Sequence, residues 1–178
     1  MKNLNQYSEK KQKYLLRIFW ILINNTIFAV LPSIAFRGVR NQILRIFGAQ
    51  IAEKCLIYSS AKIFAPWNLR LGKYSAIGPK TNIYNKGLVT IGANVVISQG
   101  AYLCTASHDI SSELMDLVVR PIIVEDRVWV ATDAFIGPGV KLSKGSVIGA
   151  RACVFSDVEE LSVVRGNPAQ KIKQRNFN

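Results

Sequence analysis

Aliphatic residues recur at every sixth position along most of this sequence, and few folds can use such a period. They occupy the positions Ile51, Ile57, Ile63, Leu71, Ile77, Ile83, Ile91, Ile97, Leu103, Val124, Val130, Ile136, Leu142, Ile148 and Val154. An α-helix repeats its faces about every 3.6 residues, so side chains six apart would spiral around its surface. Short strands joined by tight turns keep such side chains in line. We therefore predict a parallel β-solenoid in which three strands form one triangular coil around a stacked aliphatic core.

Small residues often follow the aliphatic position, as in Leu71-Gly72 and Ile91-Gly92. We expect them to allow the sharp corner between two strands. The period is interrupted at 84–90 and at 104–123, and both segments are predicted to bulge outward as loops. The period does not define the hand of the coil, although the usual rule for parallel crossovers favours a right-handed one.

A helical period of three and four residues runs from Gln12 to Phe47. Pro32 is predicted to end or kink the first helix, and a second is predicted from Arg40 to Phe47, closed by Gly48. The predicted organisation is an apolar helical extension over 1–50 and a β-helix domain over 51–178, which includes the loop 104–123 and a C-terminal tail at 159–178.

The helical extension is also basic, because it carries a single acid, Glu9, against Lys2, Lys10, Lys11, Lys13, Arg17, Arg37, Arg40 and Arg45. This asymmetry predicts a polyanionic neighbour. The uncharged stretch between 18 and 36 approaches the length of a membrane span, but polar residues at 24–26 and Pro32 interrupt it. We predict peripheral membrane contact through residues 10–47, with packing on the body as the alternative. Nucleic acid is not expected, since the repeats lack a platform of aromatic and basic residues.

The cysteines Cys55, Cys104 and Cys153 are scattered and odd in number. Their spacing predicts neither a disulfide framework nor a zinc site. We therefore expect a cytoplasmic protein without a metal, which would be peripheral at the inner face of the cytoplasmic membrane if the basic extension binds lipid.

Several motifs resemble those of the hexapeptide-repeat acyltransferases. They include Ala65-Pro66-Trp67-Asn68-Leu69, Leu103-Cys104-Thr105-Ala106-Ser107-His108-Asp109, Phe135-Ile136-Gly137-Pro138-Gly139-Val140 and Gly166-Asn167-Pro168-Ala169. The resemblance runs from about Leu44 to Arg175 and is closest to colanic-acid-biosynthesis-type O-acetyltransferases, near the galactoside, maltose and xenobiotic acetyltransferases. It implies a left-handed all-β solenoid, a homotrimer, and acetyl-CoA bound in the cleft between neighbouring subunits.

His108 is the only histidine in the chain, and it lies at the start of the long interruption in the repeats. Imidazole titrates near neutral pH and can accept the proton of an attacking hydroxyl. The resemblance implies this role, with direct transfer and no acyl-enzyme. Asp109 is expected either to hold the imidazole or to orient the loop. A nucleophilic Cys104 or Ser107 is the alternative, which is disfavoured because no third residue completes a recognisable triad.

The resemblance also implies a cofactor site along the coils, with Trp129 beside the pantetheine arm. The remaining residues assigned to acetyl-CoA are Ala131, Thr132, Gly149, Ala150, Arg165, Lys171 and Lys173. The basic ones would pair with phosphates, whereas the small ones could be required by the repeat alone. The chain departs from many relatives at Phe155-Ser156 and at Gln170, where a Thr-Lys pair and a basic residue are usual, so we expect altered phosphate contacts.

The loops at 82–87 and 111–120 are expected to face the same cleft. Their candidate acceptor ligands are Asn85, Glu113, Met115 and Asp116. The predicted function is acetyl-CoA-dependent O-acetylation of a saccharide hydroxyl in exopolysaccharide or surface-glycan biosynthesis, with a lipid-linked saccharide among the acceptors considered. The alternatives are a xenobiotic (antibiotic) O-acetyltransferase and a non-catalytic β-helix scaffold.

Overall fold

The computed structural model describes residues 13–176, in which two N-terminal helices precede a parallel β-solenoid. Helix α1 covers Tyr14–Ile23 and continues into a π-helical turn at Asn24–Phe28, and helix α2 covers Arg37–Ile46. The first helix ends before Pro32, as predicted. The second begins earlier than the predicted Arg40, and the glycine after it, Gly48, takes a left-handed φ of 89° suited to a helix cap.

The solenoid is built from very short strands. In chain order they are β1 (Gln50–Ile51), β2 (Leu56–Ile57), β3 (Lys62–Ile63), β4 (Leu69–Leu71), β5 (Ala76–Ile77), β6 (Asn82–Tyr84), β7 (Val89–Ile91), β8 (Val96–Ile97), β9 (Tyr102–Cys104), β10 (Ala106–His108), β11 (Leu117–Val119), β12 (Ile122–Val124), β13 (Trp129–Val130), β14 (Phe135–Ile136), β15 (Lys141–Leu142), β16 (Val147–Ile148), β17 (Cys153–Val154), β18 (Ser162–Arg165) and β19 (Gln170–Gln174).

Three sheets form the sides of a triangular prism. Sheet I contains β1, β4, β7, β12 and β15, and sheet II contains β2, β5, β8, β13, β16 and β18, with β19 antiparallel at its edge. Sheet III contains β3, β6, β9, β14 and β17. The register aligns Ile57 with Ile77 and Ile77 with Ile97. Every aliphatic position of the six-residue period is buried, which confirms the predicted stacked core.

The corners of the coil differ from the prediction. A residue three positions after the aliphatic one takes the left-handed conformation, as at Lys54 (φ 57°) and Tyr74 (φ 61°). The glycine at position 72 lies instead against the next coil, where an added Cβ would be 2.4 Å from the carbonyl carbon of Gly92. Gly72 therefore permits the close spacing of two coils rather than the turn within one coil.

The two helices close the N-terminal end of the solenoid, and we call residues 14–46 the N-terminal cap. Trp20 is buried, and its indole Nε1 donates a hydrogen bond to the carbonyl of Ile63 at 2.7 Å. Arg40 is buried as well, and its Nε donates to the carbonyl of Ile57 at 3.1 Å. The inner face of the cap thus packs on the body, as the alternative interpretation expected.

No helix within residues 13–176 combines the length and the apolar character needed to cross a bilayer. The outer side of α1 nevertheless exposes large apolar residues, among them Leu15, Phe19 and Leu22. The segment predicted to contact membrane therefore has, over its described residues 13–47, one face packed on the solenoid and another face open to solvent.

The three interruptions of the coil all fall at the corner between sheets III and I. They are a 3-10 turn at Pro66–Asn68, the connection between β6 and β7, and a hairpin formed by β10 and β11. The predicted outward bulges are therefore confirmed, and the longest of them is an ordered hairpin. Because they stack at one corner, each interruption can support the next one along the solenoid axis.

Candidate functional site

His108 is the last residue of β10, where it pairs with Leu117 of β11 on the exposed hairpin. Its Nδ1 lies 2.5 Å from the carbonyl oxygen of Met115. A carbonyl can only accept a hydrogen bond, so this contact places the proton of a neutral imidazole on Nδ1. The other nitrogen, Nε2, then carries the lone pair that a general base needs.

The carbonyl that orients His108 comes from a residue in an unusual conformation. Met115 has a φ of 47°, a value that residues other than glycine and asparagine rarely adopt. Its amide donates to the carbonyl of Ser112 at 2.9 Å. From the sequence, the side chain of Met115 is a candidate for acceptor binding. The structure gives its main chain a contact with His108 that no sequence pattern indicated.

Asp109 makes its hydrogen bonds within the turn of the hairpin. Its Oδ1 accepts from the amide of Ser111 at 2.9 Å and from the Ser111 hydroxyl at 2.6 Å. These hydrogen bonds lower the pKa of Asp109 below its ordinary value. Of the two roles considered for Asp109, orienting the loop is the one that these contacts describe.

The two other acidic candidates lie on the same turn. Asp116 accepts a hydrogen bond from the Ser112 hydroxyl at 2.6 Å, and its carbonyl accepts from the amide of Asp109 at 2.8 Å. The side chain of Glu113 is exposed. Both carboxylates therefore lie close in sequence and structure to His108, and their role in acceptor binding stays a prediction.

Asn85 is placed differently from the expectation, because its side chain is fully buried. Its Oδ1 accepts from the amide of Ala65 at 2.9 Å, and its Nδ2 donates to the carbonyls of Ala65 at 2.7 Å and Asn68 at 3.1 Å. With its amide occupied in this way, Asn85 joins two stacked loops at the III/I corner. The assignment of Asn85 to acceptor binding is corrected to this structural role.

The polar stack at this corner reaches the base of the hairpin. The hydroxyl of Thr105 accepts a hydrogen bond from the amide of Gly87 at 3.0 Å and donates to the carbonyl of Tyr84 at 3.0 Å. Directly after β11, the amide of Arg120 donates to the carbonyl of Thr105 at 2.9 Å. The hairpin that carries His108 is thus anchored to the preceding coil.

Trp129 lies on the outward side of sheet II, half-exposed, and its Nε1 donates to the hydroxyl of Ser98 at 3.0 Å. Ala131 and Gly149 occupy equivalent places on successive coils, since the amide of Ala131 bonds to Ile148 and that of Gly149 to Val164. A Cβ at Gly149 would be 3.0 Å from the carbonyl oxygen of Val164. Coil packing therefore needs a small residue here, whether or not a cofactor binds.

The remaining cofactor candidates lie on the same side of the prism. Thr132 and Ala150 follow this row at the corner between sheets II and III, and Arg165 ends β18. Lys171 and Lys173 lie on β19, where the Nζ of Lys171 forms an ion pair with Glu159 at 2.7 Å. Both partners are exposed, so a phosphate group could compete for Lys171 at little cost.

The structure therefore brings the predicted residues together in two groups rather than one. His108 projects from the III/I corner, whereas Trp129 lies on sheet II, which is the side of the prism opposite that corner. Within residues 13–176 no hydrogen bond joins these two side chains.

The residues considered as nucleophiles do not pair with the histidine. Cys104 is buried, and its Sγ lies 3.1 Å from the carbonyl oxygen of Ala106. Ser107 precedes His108 on the strand β10 and is exposed. Among the described residues no group of three or more His, Cys, Asp or Glu side chains is arranged to hold a metal ion.

Comparison with known proteins identifies close relatives, although no protein-family model matches the chain. It is 44% identical over 156 residues to the provisionally assigned colanic acid biosynthesis acetyltransferase WcaF of Escherichia coli K12, an alignment that covers 88% of this chain and 85% of the relative. It is 26% identical over 140 residues to galactoside O-acetyltransferase of the same organism, covering 77% and 69%.

The fold matches a hexapeptide-repeat acetyltransferase from Vibrio cholerae that was solved in complex with acetyl-CoA. The TM-score is 0.84 with 21% identity, and the match covers 96% of this chain and 94% of that one. A repeat solenoid with a projecting histidine hairpin, together with these relatives, defines an acyltransferase. More narrowly, the chain belongs to the hexapeptide-repeat acetyltransferase family that includes WcaF.

The solenoid is accordingly the left-handed β-helix of that family. The right-handed coil favoured by the crossover rule is therefore wrong for this chain. That rule depends on the twist of long strands feeding a helical crossover. Strands of two or three residues, joined by left-handed corner residues, carry little twist and so escape it.

Proposed function

We propose that this protein transfers an acetyl group from acetyl-CoA to a hydroxyl of a saccharide, with His108 as the general base. The observation that carries the proposal is the contact between His108 Nδ1 and the Met115 carbonyl, because it leaves Nε2 free to accept a proton. In the reaction Nε2 takes the hydroxyl proton while the oxygen attacks the thioester carbonyl. The C–S bond then breaks, and the imidazolium returns the proton to the departing CoA sulfur.

Acetyl-CoA is the proposed donor because the Vibrio cholerae relative was solved with it and shares this fold. On this chain the candidate site is the outward side of sheet II, where Trp129 borders the small residues Ala131 and Gly149. The basic residues Arg165 and Lys173 lie further along the same sheet, where they are suited to bind the phosphates of the nucleotide.

The functional unit that we propose is a homotrimer with a composite site. His108 and Trp129 lie on different sides of one prism, so a hairpin from one subunit must reach sheet II of a neighbour to join them. Such a contact is heterologous, and three copies can close it into a ring. The outward side of sheet II is rich in aliphatic residues, among them Leu56, Val96 and Val147, which suits burial against a neighbour.

A saccharide is the proposed acceptor because the relatives matched over most of their length are named for colanic acid and galactoside. Glu113 and Asp116, on the turn beside His108, are the candidates to bind its hydroxyls. We place the reaction in the cytoplasm, with a lipid-linked saccharide presented at the inner membrane face as the preferred form of the acceptor. The three cysteines are unpaired, which fits a reducing compartment.

Calorimetric titration with acetyl-CoA tests the donor, and release of free CoA with a panel of saccharides tests the acceptor. We expect one saturable site per chain, and His108→Ala should keep donor binding while transfer falls by about 10² to 10⁴-fold. The matched control is Ser107→Ala, which should leave transfer unchanged.

Three outcomes would contradict the proposal, each in a different part. Transfer to antibiotic hydroxyls without transfer to saccharides would favour the xenobiotic enzyme. Normal transfer by His108→Ala would remove the proposed base. Absence of any binding to acetyl-CoA would favour a scaffold.

A further inference from the structure

The side of α1 that faces away from the solenoid is apolar, and no described part of the chain covers it. Leu15, Phe19 and Leu22 are 71%, 61% and 60% exposed, respectively. Their spacing of four and three residues places them on one side of the helix, away from the buried Trp20. A helix at the surface of a soluble domain normally carries polar residues on such a side. This arrangement predicts a further contact.

The apolar exposure extends through the connection between the helices and into α2. We define the outer apolar surface as Leu15, Ile18, Phe19, Leu22, Val30, Ile34, Phe36 and Val39, all of which are exposed. Single exposed apolar side chains are common on proteins. A run of this length within one segment is characteristic of an interaction surface.

The charges around this surface have one sign. Residues 13–52 contain no Asp or Glu, and their exposed basic residues are Lys13, Arg37 and Arg45. Of these, Arg45 donates to the main-chain carbonyls of Ile51 and Ala52. An apolar segment whose exposed charges are all basic complements a bilayer with anionic headgroups, which attract each lysine or arginine held near them.

We propose that the outer apolar surface docks the protein on an anionic lipid bilayer. Its apolar side chains would enter the boundary between headgroups and acyl chains, with the helices lying in the membrane plane. A second copy is a poorer occupant, because two identical caps would oppose their basic residues without an acid to compensate them. The inference specifies the surface that holds the enzyme at the membrane, and it does not depend on the transfer chemistry.

Cosedimentation of the full-length protein with lipid vesicles tests the proposal. We expect binding to vesicles of phosphatidylcholine and phosphatidylglycerol in equal parts, weaker binding to phosphatidylcholine alone, and weaker binding at high salt because charge is screened. The double variant Phe19→Ser, Leu22→Ser should lower partition into the mixed vesicles by about a hundredfold, since burial of each side chain contributes on the order of tenfold and the two factors multiply.

The matched control is Ile123→Ser, which changes an apolar residue that is 42% exposed on sheet I, and it should bind vesicles as the original protein does. Unchanged binding by the double variant, or no vesicle binding by the intact protein, would overturn the proposal. A larger oligomer that only the double variant disperses would assign the surface to a second copy. Acetyl-CoA titration of each variant separates this result from a failure of the enzymatic proposal.

Discussion

The charge beside the proposed base depends on a hydroxyl that does not contact the imidazole. Ser111 donates two hydrogen bonds to Asp109, and they favour the ionised carboxylate. The pKa of Asp109 is therefore lowered. An acid whose pKa is lower in the folded than in the unfolded state stabilises the fold at every pH above its unfolded-state pKa. The contribution of Asp109 to the hairpin is therefore lost as the pH falls through its folded-state pKa.

Ser111→Ala removes the hydroxyl donor and should raise the pKa of Asp109 toward its ordinary value. Carbon-detected NMR titration of the Asp109 carboxyl measures this directly. Ser112→Ala is the matched control, because the Ser112 hydroxyl is bonded to Asp116 instead. An Asp109 pKa that moves equally in both variants would show that the Ser111 hydroxyl has no special effect on it.

For single residues, the sequence indicates which side chains can do chemistry better than it indicates which way each side chain faces. His108 could be singled out as the only histidine at a break in the repeats. The same reasoning failed for Asn85, because a polar residue in a predicted loop can face inward when the main chain of stacked loops offers it partners. The contact between the Met115 carbonyl and His108 depends on a left-handed backbone conformation at Met115. A methionine in the sequence does not predict that conformation.

Among the elements, the N-terminal cap depends on one buried arginine. The guanidinium of Arg40 lies 3.7 Å from the ring centre of Phe28 and donates to the carbonyls of Phe28, Leu31 and Ile57. It thereby joins the end of the first helix to the first coil. Main-chain carbonyls accept from the Nε and one terminal nitrogen of this planar group, whereas its other terminal nitrogen is buried without a hydrogen-bond partner.

Arg40→Leu should lower the free energy of unfolding by about 3 kcal/mol, because it leaves buried carbonyls without their donor. Arg40→Lys should not restore it, since an ammonium cannot reproduce the planar fork. Denaturant unfolding gives the energy, and hydrogen exchange should show faster opening of 14–46 than of the coils. The control is the exposed Arg37→Leu, and an equal loss in that variant would contradict the explanation.

The first helical segment contains an irregularity that its hydrophobic period does not predict. Trp20 and Phe28 both point into the core, yet eight residues of regular α-helix would leave them about 80° apart. The π-helical turn at Asn24–Phe28 widens the helix and reduces this offset. Packing on the coil selects that turn, so the local sequence predicted a helix without predicting its irregularity.

The whole molecule follows from the six-residue period, because a coil with three sides of about six residues each stacks one aliphatic side chain per side into a shared core. The aliphatic positions were sufficient to predict the stacked core and the places where loops leave it. The hand of the coil was not predictable from them, since either hand buries the same residues. Whether copies of the chain assemble is not predictable from the period either, because the outward residues follow no repeat of their own.

The spacing between stacked coils should depend on glycine at positions where the backbones of two coils come very close. Gly72→Ala would place a Cβ 2.4 Å from the backbone of Gly92, and it should cost about 3 kcal/mol of unfolding free energy because two coils must separate. Gly38→Ala in α2 is the matched control, since nothing lies within 4 Å of its Cβ. It should stabilise the protein by about 0.5–1 kcal/mol. Equal thermal stability of the two variants would refute this explanation of the coil spacing.

The N-terminal cap closes only one end of the solenoid, so the two ends differ. In a three-fold ring this difference would affect how the protein meets a membrane. Parallel subunits related by such an axis would present all three caps in the same direction. Release from a lipid surface would then require three contacts to break together, and each one still held keeps the others at high effective concentration. A weak affinity per chain would become a long dwell time, so that one trimer could acetylate many acceptors before it diffuses away.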